Sequence, residues 1–183
     1  MVSREGLEKA WSRYKDLSYS FETKAGALDI SNDEILSLTK KVQKIEDVRA
    51  QVQEILTLKK SFRVSKILEM IIAGAIATEA SDVHLEPEET YVRLRYRLDG
   101  VLTDVLNFDL ETYNLLLSRV KLLSGLKLNV KGAQDGRFSV TLGTDEIEIR
   151  TSVLPGAYNG SIVLRILNPK GIQVPMEELG FEP

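Results

Sequence analysis

Arg93, Arg95 and Arg97 recur at every second residue in YVRLRYRLDG, and Arg137, Arg150 and Arg165 follow in AQDGR, EIRTS and IVLRIL. A guanidinium is a planar fork of donors that stays charged at any working pH and matches the oxygens of a phosphate or carboxylate. The chemistry on offer is therefore anion recognition rather than proton transfer. Residues 80–102, ASDVHLEPEETYVRLRYRLDGVL, gather three of these arginines beside an acidic stretch and a hairpin turn, and read as a phosphate-facing platform. No Gly-rich loop ending in Gly-Lys-Ser/Thr occurs in the sequence, so it does not supply the backbone amides and lysine that would wrap a nucleoside triphosphate.

Acid–base and metal chemistry find less support. His84 is the sole histidine and lies two residues after Asp82 and three after Ser81, too near in sequence to form a productive triad readily. Asp82 is expected to cap or brace a helix end, and His84 to pack at the start of a strand. Glu86, Glu88 and Glu89 surround Pro87 in a stretch that reads as an acidic loop, with no groove signature for a glycosidase carboxylate pair. Cysteine is absent, which removes disulfides, thiolate chemistry and the usual zinc ligands and fits a cytosolic protein. No metal site is expected. The 24 basic and 27 acidic residues are spread along the chain for a net charge of -3, so no broad positive field gathers polyanions and nucleic acid is not an expected partner.

The elements that must position the arginines follow from periodicity. Residues 1–30 mix Trp11, Tyr14, Tyr19 and Phe21 with little pattern and read as a linker that docks elsewhere. Ser31 and Glu34 form a capping box, and Ile35, Leu38, Val42, Ile45, Val52, Ile55 and Leu56 predict a helix over 32–58 with a break near 44–47. A more deeply buried helix is predicted over 62–78. Its apolar run, residues 70–77, is far short of the roughly 20 residues of a membrane span, and the N-terminal residues carry no secretory signal. From Tyr91 the period becomes two: Val92, Leu94, Tyr96 and Leu98 share one face, and Arg93, Arg95 and Arg97 the other. Asp99-Gly100 supplies a tight hairpin turn into a strand over 101–106. Asp109 caps a helix over 110–124 that Gly125 ends. A loop holding Gln134, Asp135, Gly136 and Arg137 then precedes strands over 138–142, 146–153 and 161–167. Helices followed by hairpins predict an α+β domain with an antiparallel sheet.

The blocks ASDVHLEP, RLRYRLDGVL, AQDGR and EIRTSVLPGAYNGSIVLRIL occur in this order over about residues 62–181. Together they resemble the second N-terminal domain of the secretion and pilus-assembly ATPases, the hexameric motors of type II secretion and type IV pilus extension. The resemblance implies a PAS-like α+β fold preceded by a helical arm: residues 1–60 as linker and arm, 61–171 as the domain, and 172–183 as a linker to an ATP-binding domain beyond. It implies that Arg150 and Arg165 reach the terminal phosphate of ATP held by that domain, and that hydrolysis drives rotation of one domain against the other. Arg95, Arg97 and Arg137 become candidates for the phosphate or subunit interface. ATP and Mg are then cofactors of the full-length parent and not of this part alone, which carries no catalytic residue. The partners implied are the chain's own ATP-binding domain, neighbouring subunits of a hexamer, and an inner-membrane platform protein, at a cytoplasmic location peripheral to the inner membrane. Ala133 stands where the family usually has proline. On the residues alone, Arg165 shares an apolar strand face with Val163 and Leu167, so an ion pair with Glu146 or Glu148 is the alternative to a phosphate. The three alternating arginines could equally form a solvated face. A stand-alone PAS-like ligand-binding or protein-interaction module remains the alternative to a motor domain.

Overall fold

The apolar residues expected on helices step by threes and fours, and in the computed structural model, which describes residues 27–28, 44–56, 60–142 and 145–168, they line one core. Helix α1 (Ile45–Leu56) contributes Val48 and Val52. Helix α2 (Lys60–Ala77) contributes Ile67, Leu68, Ile71, Ile72 and Ala75. Helix α3 (Leu110–Leu123) contributes Tyr113, Leu116, Val120 and Leu123. The strands are β1 (Ala27–Leu28), β2 (Asp82–Pro87), β3 (Val92–Leu98), β4 (Val101–Phe108), β5 (Gln134–Leu142), β6 (Asp145–Leu154) and β7 (Ser161–Leu167). They form a single sheet in the order β1-β5-β6-β7-β2-β3-β4. Every neighbouring pair is antiparallel except β1, whose Ala27 and Leu28 lie parallel to Ser139 and Val140 of β5. The fold is α+β, with a helical segment preceding the six antiparallel strands.

Two short closures deliver the helices to the sheet. At the end of α2, Glu79 takes a left-handed φ of 55° while Ala80 N–H donates to Ala75 O at 2.8 Å and Glu79 N–H to Ile76 O at 3.2 Å. At the end of α3, Gly125 takes a φ of 69°, with Leu126 N–H donating to Lys121 O at 2.7 Å and Gly125 N–H to Leu122 O at 3.3 Å. Both are paired closures that satisfy the orphan carbonyls of a helix end. Asp109 starts α3 as expected, its carboxylate accepting Thr112 N–H at 2.7 Å. Gly74 lets α1 lie against α2: a Cβ there would stand 2.8 Å from Val48 Cγ2 and 3.1 Å from the Tyr96 hydroxyl, which donates to Ile71 O at 2.6 Å.

The β3–β4 hairpin matches the expectation, Asp99 and Gly100 both having positive φ (48° and 80°), and β4 continues to Phe108. Two expectations are corrected. The acidic loop expected around Pro87 begins later, because β2 runs from Asp82 to Pro87 as an interior strand between β7 and β3: Glu86 lies in it, Glu88 and Glu89 follow it, and His84 stands near its start as expected. The loop expected to hold Gln134 to Arg137 ends earlier, because β5 already begins at Gln134. The chain bends at Lys44 before α1, near the predicted break. The capping box at Ser31 and Glu34, the first part of the 32–58 helix and residues 169–183 lie outside the described residues. Among the described residues no helix is long and apolar enough to cross a membrane.

Candidate functional site

The helices cover the sheet face that carries Val83, Leu85, Leu94, Tyr96, Ile149, Ile162 and Leu164. Side chains alternate along a strand, so the residues between them point to the opposite face. There the register aligns one row across five strands. Arg137 pairs with Arg150, Arg150 with Arg165, Arg165 with Asp82, and Asp82 with Arg97. At the usual strand separation the row spans about 19 Å. The sequence gives no hint that these residues, spread from position 82 to 165, lie side by side.

Each arginine of the row meets a carboxylate through one edge. Arg165 Nε donates to Asp82 Oδ1 at 3.0 Å. Arg97 Nε lies 3.5 Å from Asp82 Oδ2, near enough for an ion pair but not aligned as a hydrogen bond. Arg150 Nε donates to Glu148 Oε1 at 3.2 Å, and an Nη of Arg137 lies 3.6 Å from Glu148 Oε2. The Arg165, Arg150 and Arg137 side chains remain 65%, 67% and 77% exposed, so most of each guanidinium is presented to whatever approaches the face. Four cations share two anions, an excess of two positive charges.

Asp82 is the buried member of the row, its side chain 8% exposed. Burial by itself raises a carboxyl pKa. Here the hydrogen bonds from Arg165 and from Ser81, whose hydroxyl lies 2.9 Å from Oδ2, outweigh it together with the charges of Arg165 and Arg97, and the carboxyl is held below its ordinary 3.8. Asp82 therefore does not cap a helix: it is a strand residue that gathers two arginines. The expected ion pair of Arg165 with Glu146 or Glu148 does not form either, because β7 lies between β6 and β2 and the arginine turns to β2.

The neighbouring charges are neutralised locally. Arg95 donates to both Glu86 oxygens, at 2.7 and 2.5 Å, and Arg93 to Glu88 at 2.8 Å. These pairs, with Glu86 on β2 and Glu88 just after it, together with the Asp82 contact of Arg97, answer the question of how three like charges coexist on β3, and they leave Arg95 outside the row that contains Arg97. His84 Nδ1 lies 3.4 Å from Glu86 Oε1, and Ser81 bonds Asp82 rather than the histidine, so no triad forms. Glu86 and Glu88 are engaged by arginine and do not form a working carboxylate pair.

The QDGR block turns out to be a support for the row. The Gln134 side chain clasps the preceding loop, accepting Lys127 N–H at 2.9 Å and donating to Lys127 O and Val130 O at 3.0 and 3.2 Å. Gly136 lets the end of α3 approach, since a Cβ would stand 2.4 Å from Ser124 O. Directly across, Thr151 is bonded by the Ser124 hydroxyl at 2.8 Å. The β6–β7 loop is pinned from the other side, with Tyr113 donating to Gly160 O and Asn159 to Asn114 Oδ1.

The family model described as "Type II/IV secretion system protein" matches residues 57–183. The chain belongs to that family. Among type II/IV secretion system proteins it is similar to type II secretion system protein E of Klebsiella pneumoniae, 29% identical over 180 residues that cover 96% of this chain and 35% of the relative. The corresponding protein E of Pseudomonas aeruginosa is 32% identical over 180 residues, covering 95% of this chain and 34% of the relative. The type IV pilus assembly ATPase PilB of Myxococcus xanthus is 35% identical over 121 residues, covering 65% and 21%. The chain thus spans about a third or less of the length of these curated relatives, and the described β2–β7 sheet with its arginine row lies wholly within the matched segment.

Proposed function

We propose that this chain is the regulatory part of a secretion or pilus-assembly ATPase, and that Arg150 and Arg165 sense the terminal phosphate of ATP bound by another domain of the same protein. The observation that carries the reading is the register that sets Arg150 directly opposite Arg165 on an exposed face. Like charges directly opposite on neighbouring strands destabilise a sheet. Each is tethered by an acid at its Nε side, which moderates the repulsion while leaving the arginine open to an approaching anion. A phosphate between them would satisfy both forks at once, and its release on hydrolysis would restore the repulsion. That difference is the differential affinity a two-state domain rotation requires. The relatives' printed names, protein E and a pilus assembly ATPase, support the same assignment.

On this reading ATP and Mg are bound by the parent protein outside this segment, and this part positions cations without catalysing hydrolysis. Arg97 and Arg137 extend the contact at the two ends of the row, and Arg95 serves the domain or subunit interface through its pair with Glu86. The motor works as a hexamer on the cytoplasmic side of the inner membrane, passing its motion to a membrane platform protein. Reading the gene beyond the codon for Pro183 tests the assignment. A strand followed by a Gly-Lys-Ser/Thr loop supports it, and an unrelated domain or a stop overturns it.

A further inference from the structure

We propose that Asp82 is the positioning residue of the arginine row, the single carboxylate that aims Arg165 and steadies Arg97 for the incoming phosphate. This rests on the reading of Arg165 as a phosphate contact and goes beyond it, because Asp82 itself meets no substrate. The geometry points to this role in three ways.

First, the two halves of the row are held unequally. Glu148, which tethers Arg150 and Arg137, is 37% exposed and its contacts are 3.2 and 3.6 Å. Asp82 is 8% exposed and contacts Arg165 at 3.0 Å. Arg165 is the arginine whose orientation is fixed before any ligand arrives. Second, Asp82 is anchored by strands on both sides. It lies on β2 between β7 and β3, its hydroxyl neighbour Ser81 occupies Oδ2, and the Ser81 backbone bridges both flanking strands: its N–H donates to Arg97 O and its carbonyl accepts Ile166 N–H, each at 3.0 Å. Third, the contact uses Nε of Arg165. Holding a guanidinium by that edge sets its plane and directs the other edge away from the carboxylate, which is the preorganisation that phosphoryl chemistry rewards. The shared carboxylate also links the two arginines: when Arg165 is drawn toward a phosphate, Asp82 is left to Arg97.

Removing the charge separates positioning from simple attraction. Asp82→Asn keeps the shape and adds to the positive excess of the row, so electrostatics alone would tighten phosphate binding, whereas loss of aim would slow turnover. In the full-length protein that carries this chain, with Arg165→Ala assayed alongside, Asp82→Asn is expected to lower kcat for ATP hydrolysis roughly tenfold or more with KM for ATP unchanged or lower. Unchanged kcat in Asp82→Asn together with a loss in Arg165→Ala overturns the inference and leaves the phosphate reading standing. No loss in Arg165→Ala overturns the phosphate reading itself. A measurement on the unmutated 183-residue chain covers the case in which Asp82→Asn fails to fold. By NMR, the Arg165 Nε–H is expected to exchange with water several-fold more slowly than that of Arg150. Because Arg150 Nε–H is itself bonded to Glu148, equal exchange rates would show that Asp82 holds Arg165 no more firmly than Glu148 holds Arg150 and would overturn the proposal.

Discussion

Replacing Gly136 with alanine should destabilise the chain by about 2 kcal/mol, although nothing about its neighbours in sequence suggests so large an effect. The added Cβ would stand 2.4 Å from Ser124 O, 2.8 Å from Leu126 Cδ2 and 3.1 Å from Ser124 Cβ. Comfortable non-bonded separations are about 3.5 Å, so the Ser124 carbonyl must retreat by roughly 1 Å. It is poorly placed to do so. Leu126 N–H is tied to Lys121 O at 2.7 Å, and the Ser124 hydroxyl to Thr151 at 2.8 Å. Overpacking costs about 1–3 kcal/mol, and a rigid backbone neighbour puts this site at the upper end. Alanine recovers about 0.5–1 kcal/mol through its lower chain entropy, which leaves the net figure. For a chain of this size that corresponds to a fall in Tm of about 4–8 °C. Thermal and urea denaturation of the two proteins measure it directly. Had Asp135-Gly136 formed a surface turn, as the sequence suggests, the change would be small, so an alanine variant as stable as the parent would refute the packing argument. Because Gly136 pairs with Thr151, beside the Arg137–Arg150 pair, the same strain should spread to one end of the arginine row.

Asp109→Ala should lose about 1 kcal/mol in urea titration, because it removes the acceptor for Thr112 N–H at the start of α3. For Asp109, burial again raises the carboxyl while the Thr112 backbone and side-chain hydrogen bonds and the nearby Arg63 bring it below 3.8. The stabilisation from Asp82 and Asp109 is therefore present above the unfolded carboxyl value near 3.8 and is lost as the pH falls through the lower folded values. Denaturation midpoints followed from neutrality downward should show this loss below about pH 4, and the Asp82→Asn, Asp109→Asn double variant should show a shallower acid limb. Calorimetric titration of this chain alone with ATP should give no detectable binding heat, and tight binding would contradict the division of labour between domains.

How far the sequence carried the reading differs by element, for physical reasons. The β3–β4 hairpin and α3 were legible because period-two burial, the Asp99-Gly100 turn, the Asp109 cap and the Gly125 stop all act within a few residues of one another. The full extent of β2 was obscured because its carboxylates, Asp82 and Glu86, resemble a solvated loop, and their partners Arg95, Arg97 and Arg165 are supplied by the strands on either side. The one available signal was alternation, since Val83 and Leu85 are fully buried between Asp82, His84 and Glu86. The start of β5 was hidden by a glycine that serves packing rather than a turn. Arg150 and Arg165 were singled out by resemblance, but their position opposite one another, and the part played by Asp82, depend on a strand order that the hairpin pattern does not encode. β7 pairs with β2 across 83 positions in sequence, a contact invisible to any local rule.

The central claim is that Arg150 and Arg165 act on the terminal phosphate, and steady-state ATP hydrolysis by the full-length protein carrying this chain tests it most directly. Arg150→Ala and Arg165→Ala are each expected to lower kcat roughly 100-fold or more while ATP binding is retained, whereas Arg93→Ala, whose arginine is held by Glu88, stays close to the parent. Parental kcat in both the Arg150 and Arg165 variants would contradict the account.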